Sequence, residues 1–331
     1  MKLNLNLGRS LSGAPIIARN MDNPHLSVDG RSGSGKSHFL KKLIEQAVQQ
    51  GAQCLVFDYC ADFCGYSPPD GIPFAVRDVG SENFSLNPLL CDRDQSPGFR
   101  AQKLLMPLEQ AFRMGPRAKV ALKQATQQYL EEEPGLPSLD RLHKYIERSC
   151  VLTRGLAAAL EPLGLLNSVI HCGERPIDLD LTTPGLTVLD FSKVPSQSIQ
   201  CMLIEVILVT IWSLRTCLHI PLVLVLDEAQ DLQWGQDSMA IRILREGRKF
   251  GIAGWFSSQW VDKPSAASAL RQAAIQAHFR PDSGGINRIV NALDLSQDER
   301  PQCRHLLHQL KVGQFLYQTP DGRIAVVRVD P

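Results

Sequence analysis

The sequence predicts an α/β fold with a mostly parallel central sheet, a small N-terminal β-hairpin and an α-helical insertion. Three observations predict it. A glycine-rich loop, "GRSGSGKS" from Gly30 to Ser37, stands between an apolar strand and a helix. The runs "QCLVFDY" and "LVLVL" are continuously apolar, as strands covered on both faces are. Between those two strands, the chain from about Cys91 to Cys172 takes on helical periodicity.

The elements follow in order. "KLNLNLG" alternates and predicts a short strand, with "APIIA" as its hairpin partner. "HLSV" runs into the glycine loop, and "HFLKKLIEQAVQQG" has helical spacing with a glycine stop. With "QCLVFDY" this makes the opening βαβ unit of a parallel sheet. "AQKLLMPLEQAFRM", "PRAKVALKQATQQYLEEE" and "SLDRLHKYIERS" are amphipathic helices, the last led by a serine cap. Strands resume with "GLTVLDFS". A long apolar helix from about Ser196 precedes the strand Leu222 to Leu226. After "GIAGWFSS" come two more helices and a terminal hairpin turning at Asp321-Gly322. The domain reading is one engine in two parts, 1–91 and 173–331, interrupted by a helical insertion at 92–172.

Bulk properties exclude some classes. The chain has 331 residues and a net charge of +1, so no global basic signal points to nucleic acid, and any polyanion contact must be local. Its nine cysteines are odd in number and scattered, which suits reduced thiols in a cytoplasmic protein. Cys60 and Cys64 form a C-x3-C with no second pair, short of the four ligands of structural zinc. "CMLIEVILVTIW" carries Glu205 and is too short to span a bilayer, so no membrane insertion is expected.

The glycine loop matches G-x4-G-K-[ST]. Gly30, Gly33 and Gly35 let backbone N–H groups turn toward phosphate oxygens, and the following helix points its positive end there. Arg31, Ser32, Ser34 and His38 complete the phosphate-binding stretch. Lys36 reaches the β- and γ-phosphates and Ser37 ligates Mg²⁺, so ATP with Mg²⁺ is the expected cofactor pair. Asp29 is an unusual neighbour, since it puts a negative charge near phosphate unless Arg31 or the metal offsets it.

The strand Leu222 to Leu226 ends in Asp227-Glu228, where α/β folds bind ligands. Asp227 would hold Mg²⁺, directly or through water, and Glu228 would polarise the attacking water. Further on, "ILREGRKFGIAGWFSSQ" spans Ile243 to Gln259. At 100° per residue Met239, Ala240, Ile243, Leu244, Gly247 and Phe250 share one side of a helix. Arg242, Arg245, Arg248 and Lys249 gather on the other side, with Ile241 misplaced among them. A solvated cationic face at a helix C-terminus is one reading of those residues. The strand after them delivers Gln259 near the γ-phosphate, where an amide can donate to phosphate and accept from water. An arginine ahead of that strand lies at its opposite end, far from its own nucleotide, but could reach a neighbouring subunit's.

Together these residues resemble the FtsK–HerA superfamily of RecA-like DNA motors. The resemblance rests on "LGRSLSGAPIIARNMDNPHLSVDGRSGSGKS" with its Pro24-His25 pair, "FDYCADF" with Asp58, "NFSLNPL", "GLTVLDFSKVPSQ" and "LREGRKFGI…SSQ". It implies that Lys36 and Ser37 bind phosphate and metal and that Asp227 and Glu228 are the Walker B pair. It makes Gln259 the sensor and Arg248 the finger acting in trans, with Arg245 second. It implies a homo-oligomer, a hexameric ring on the family pattern, acting on DNA with a separately encoded effector such as a nuclease or transfer channel. A nucleotide-dependent switch or scaffold would use the same residues. A small-molecule kinase fits less well, because Glu228 and Gln259 suit water activation.

Overall fold

The computed structural model describes residues 2–19, 22–90, 95–112, 114–133, 135–148, 154–259, 264–293, 295–319 and 322–330. The chain divides into two compact units. The first comprises Met1–Val76, Leu181–Val188 and Leu218–Pro331, and the second Arg77–Asp180 and Leu189–Cys217.

The first unit opens with β1 (Leu5–Ser10) and β2 (Pro15–Ala18), the antiparallel hairpin that the alternation predicts. β3 (Leu26–Asp29), α1 (Lys36–Gln49) and β4 (Gln53–Asp58) form the expected βαβ unit. α1 buries Lys36, Phe39, Leu40, Leu43, Ile44, Ala47 and Val48, the stripe that a 3.6-residue period places on one side. It stops at Gly51, whose φ of 86° suits glycine. Gln46 of α1 and Gln50 just after it also clip the chain at the start of β1. Asn6 N–H donates to Gln46 Oε1 at 2.7 Å and Asn4 N–H to Gln50 Oε1 at 2.9 Å, and each amide donates back to the same residue's carbonyl.

β5 (Phe74–Asp78) and β6 (Gly185–Asp190) are short strands. β7 (Leu222–Leu226), β8 (Ile252–Ser258), β9 (Ile275–Phe279), β10 (Gln314–Gln318) and β11 (Ile324–Arg328) complete a sheet in the order β2-β1-β11-β10-β9-β3-β8-β7-β4-β6-β5. β4, β7, β8, β3 and β9 pair in parallel, and all of β7 and β8 is buried, as a strand covered on both faces must be. The terminal hairpin β10–β11 is antiparallel and lies between β9 and β1. Asp321, where the sequence reading places the turn, lies outside the described residues.

On one sheet face α1 packs over Val28, Val223, Val225, Trp255, Ala277 and Phe279. Phe39 joins Phe279 and Phe315 in an aromatic cluster, with ring centroids 4.8 to 5.6 Å apart. α7 (Met239–Glu246), α8 (Pro264–Leu270), α9 (Gly285–Ala292) and α10 (Glu299–Gln309) belong to the same unit.

The second unit contains α2 (Pro97–Phe112), α3 (Pro116–Glu132), α4 (Leu139–Arg148), α5 (Arg154–Val169) and α6 (Gln197–Ser213). Sequence periodicity predicts α2 to α4 but passes over α5, which carries Pro162 inside it, and over exposed β5. α6 is capped by Ser196, whose side chain accepts from Ile199 N–H. Every residue from Cys201 to Ser213 is buried, so the apolar run is a core helix, and among the described residues no helix is long and apolar enough to cross a membrane. Buried Lys103 donates to the Leu90 carbonyl and to Ser213 Oγ, each at 3.1 Å. Cys91 and Cys150 lie outside the described residues.

Candidate functional site

The glycine loop needs its glycines. Gly30, Gly33 and Gly35 have φ of 149°, 71° and 108°. A Cβ on Gly30 would fall 2.6 Å from Phe279 Cβ, and one on Gly35 would fall 3.0 Å from the Gly313 nitrogen. The loop is held from behind as well, because Gly313 N–H donates to the Ser34 carbonyl at 2.9 Å. Lys36 is buried, and its Nζ donates to the carbonyls of Gly30 at 2.7 Å and Arg31 at 3.2 Å. Burial lowers the Lys36 pKa, and the charges of Glu228, Asp227, Asp29 and Asp62 work against that shift.

Opposite the loop stands an acidic wall. Asp227 directly follows β7 and is 6 % exposed. Burial pushes its carboxyl up to about 6, and the nearby charges of Glu228 and Asp58 add to the rise. Glu228 follows with φ 45° and ψ 46°, a left-handed backbone rare outside glycine. Its Oε1 accepts from Gln259 Nε2 at 3.0 Å and its Oε2 accepts from Gln230 Nε2. Gln230 Oε1 in turn accepts from Gln259 N–H at 3.2 Å.

These groups enclose a cleft of about 300 Å³ lined by Ser32, Gly33, Gly35, Lys36, Ser37, His38, Asp62, Asp227, Glu228 and Gln259. Most residues singled out in the sequence therefore meet. Gly30 and Arg31 do not line the cleft but hold Lys36 through their carbonyls. The Ser34 side chain is buried away from it.

Two members of this neighbourhood are missed in the sequence. Asp62 lines the cleft because Asp58 builds the loop beneath it. Fully buried Asp58 accepts from the backbone N–H groups of Cys60, Asp62, Phe63 and Cys64 at 2.8 to 3.3 Å, and Cys64 Sγ donates to it as well. The turn forces Ala61 to a φ of 62°. Gln230 is the other omission. A carboxylate four residues after Asp58 and an amide two residues after Glu228 are weak signals without the fold.

Asp29 has a neighbour that the sequence reading does not name, His278. In parallel register the two residues are neighbours on β3 and β9, and His278 Nδ1 lies 2.7 Å from Asp29 Oδ2.

The basic segment also departs from expectation. The α-helix ends at Glu246, and Gly247–Phe250 is a 3-10 turn. Ile241, inside the regular α-helix, is buried with the apolar residues and so is not misplaced, while Phe250, in the tightened turn, is only partly buried. A Cβ on Gly247 would lie 2.7 Å from the Ile252 carbonyl, which explains the glycine. Arg242, Arg245, Arg248 and Lys249 are exposed, and none lines the cleft. Beneath the turn, buried His25 Nδ1 accepts from Gly254 N–H at 2.9 Å, and Trp255 Nε1 donates to the Pro24 carbonyl at 3.0 Å. Burial lowers the His25 pKa to about 4, helped by the Arg248 charge. Arg248 and Gln259 flank β8, whose seven residues span about 23 Å at the usual rise.

A parallel sheet with a lysine-bearing glycine loop facing an Asp–Glu strand end is the architecture of a RecA-like P-loop NTPase. The chain belongs to the family described as Helicase HerA, central domain, whose model matches residues 6–211. The resemblance read from the sequence is borne out at that level. No curated protein matches the chain. Among solved structures it is similar to VirB4 of Thermoanaerobacter pseudethanolicus, at 20 % identity and a TM-score of 0.79, over 99 % of this chain and 97 % of that one. It is also similar to the plasmid coupling protein TrwB in complex with ADP and Mg²⁺, at 15 % identity and a TM-score of 0.68, over 98 % and 90 % of the two chains.

Proposed function

We propose that this chain is an ATP-hydrolysing motor that assembles into a ring, a hexamer on the family pattern, and translocates or remodels DNA with a separately encoded effector. We place it in the cytoplasm. The observation that carries the reading is that Lys36, Ser37, Asp227, Glu228 and Gln259 line one cleft. A TrwB structure holding ADP and Mg²⁺ supports the same cofactors here.

The residues fit a hard divalent cation. Ser37 offers a hydroxyl, and the buried Asp227 carboxylate, crowded by Glu228 and Asp58, gains from a nearby positive charge. Bound Mg²⁺ would neutralise phosphate charge and orient the terminal phosphoryl group. Lys36 gives its ammonium to the β- and γ-phosphates in exchange for the two loop carbonyls it now bonds. Glu228 accepts a hydrogen bond from the attacking water and aligns it with the γ-phosphorus. Gln259 donates to the γ-phosphate or to Glu228, so its amide distinguishes the two nucleotide states. Arg248 reaches the site of a neighbouring subunit and stabilises the charge that develops in transfer.

The test is ATP turnover by the full chain with Mg²⁺ at low salt, with and without duplex or single-stranded DNA, where phosphate contacts are strongest. DNA should stimulate turnover, and particle mass should rise with ATP. Turnover indifferent to both forms of DNA would sink the translocase reading. ATP-dependent assembly alongside that indifference would favour the nucleotide switch instead.

A further inference from the structure

We infer that Gln230 is a positioning residue for hydrolysis that acts through Glu228. This deepens the proposed function and rests on Glu228 being the group that polarises water. Gln230 sits in a 3-10 turn, Ala229–Asp231, directly after the acidic pair. The turn is anchored on both sides. Asp231 N–H donates to the Glu228 carbonyl at 2.9 Å, and Trp234 Nε1 donates to the Ala229 carbonyl at 2.8 Å. Trp234 also stacks against Phe256 of β8, with ring centroids 5.7 Å apart. The Gln230 amide is thus held at fixed reach from both Glu228 and the end of β8.

Its two ends do different work. The amide nitrogen donates to Glu228 Oε2, and the amide oxygen accepts from Gln259 N–H. Gln259 Nε2 closes the ring on Glu228 Oε1. A carboxylate oxygen has more than one lone pair, so one donor on each oxygen orients the group and leaves an acceptor site for water. The left-handed backbone at Glu228 aims the side chain, and the two amides stop its rotation. Only a side chain that both donates and accepts can fill this place. Glutamate could not donate to Glu228, and methionine could do neither.

The experiment compares the full chain with Gln230→Met and Gln230→Glu, under Mg²⁺ and any DNA that stimulates it. For Gln230→Met, kcat should fall about 10- to 100-fold while the KM for ATP and the Kd for a fluorescent ATP analogue stay within about twofold. Gln230→Glu should lose as much, because an acceptor then faces an acceptor. The double variant Gln230→Met/Gln259→Met should lose far less than the product of the two single losses, since both amides hold one carboxylate. Full kcat in either single variant, or a loss confined to KM and Kd, overturns the inference, as does a multiplicative double loss. If Gln230→Met fails to fold, Gln230→Glu decides alone. Glu228→Gln separates the levels. Should it retain turnover, the reading of Glu228 falls. Should it be inactive while Gln230→Met turns over normally, only the inference on Gln230 falls.

Discussion

The two ends of β8 are built differently. At its C-terminal end Gln259 enters a cleft where a glutamate and two glutamines bond one another and the lysine bonds two loop carbonyls, all within a single chain. At its N-terminal end the 3-10 turn presents Arg248 and Lys249 to solvent, although the backbone beneath is tightly held by His25 and Gly247. The contrast teaches that one end of the strand is satisfied within its own chain while the other leaves its cations exposed; in the ring proposed above, that exposed end meets the next subunit's nucleotide.

The largest expected effect breaks or confirms that contrast directly. Arg248→Ala should leave ATP binding intact and cut turnover by a factor on the order of 10³ or more. Mixing it with Glu228→Gln subunits should restore part of the activity, measured as turnover against mixing ratio. Activity that never exceeds the sum of the separate variants would remove the trans role from this end of β8. A smaller effect concerns the frame itself. Gly247→Ala pushes a Cβ to 2.7 Å from a backbone carbonyl, so thermal unfolding should show a loss on the order of 2 kcal/mol or more. Unchanged stability would mean the turn is not held as described.

Two pH dependences sharpen the comparison, because a buried group with a shifted pKa stands near each end. Asp227 is raised to about 6, so its burial costs stability at neutral pH, where it is charged in both folded and unfolded states. Asp227→Asn should therefore stabilise the nucleotide-free chain at pH 7 by about 1–3 kcal/mol. That gain should shrink as pH falls from about 6 to 4, where the native carboxyl takes up its proton. His25 works in the opposite sense. Its folded pKa of about 4 lies below the ordinary 6.5, so stability is lost as pH falls through 6.5 toward 4. His25→Gln should flatten that loss, by an amount on the order of 3 kcal/mol at most. Chemical denaturation across pH 4 to 8 checks both, and a gain from Asp227→Asn that grows toward acid would contradict the assignment at the cleft. The smallest effect is Ala61→Gly, which relieves a left-handed alanine and should stabilise by about 1 kcal/mol or less.

How much of this was legible in the sequence depends on distance along the chain. The glycine loop, the acidic pair and the strand ending at Gln259 carry their meaning in short contiguous stretches, and their convergence follows from parallel βαβ logic. The helical insertion was legible where amphipathic periodicity was clean. It failed at α5, where apolar residues fall on most sides and a proline interrupts. Asp29 was legible as an oddity but not as a partner of His278, since only the β3–β9 register makes those residues neighbours. Gln230 was hidden for a similar reason. Its polar group matters only because Glu228 takes a left-handed turn that periodicity cannot report. The basic stretch was read as one helix, whereas Gly247 tightens it, and that turn answers to packing against Ile252 and His25.

The hydrogen bond from Gly313 to Ser34 has a consequence for how the molecule comes into being. The phosphate loop is synthesised before the backbone that braces it, because Gly313 and the hairpin β10–β11 lie far downstream of Ser34. A nascent chain therefore carries its signature motif before that motif is braced. Competence to hold nucleotide should arrive only once Gly313 and the hairpin have been added.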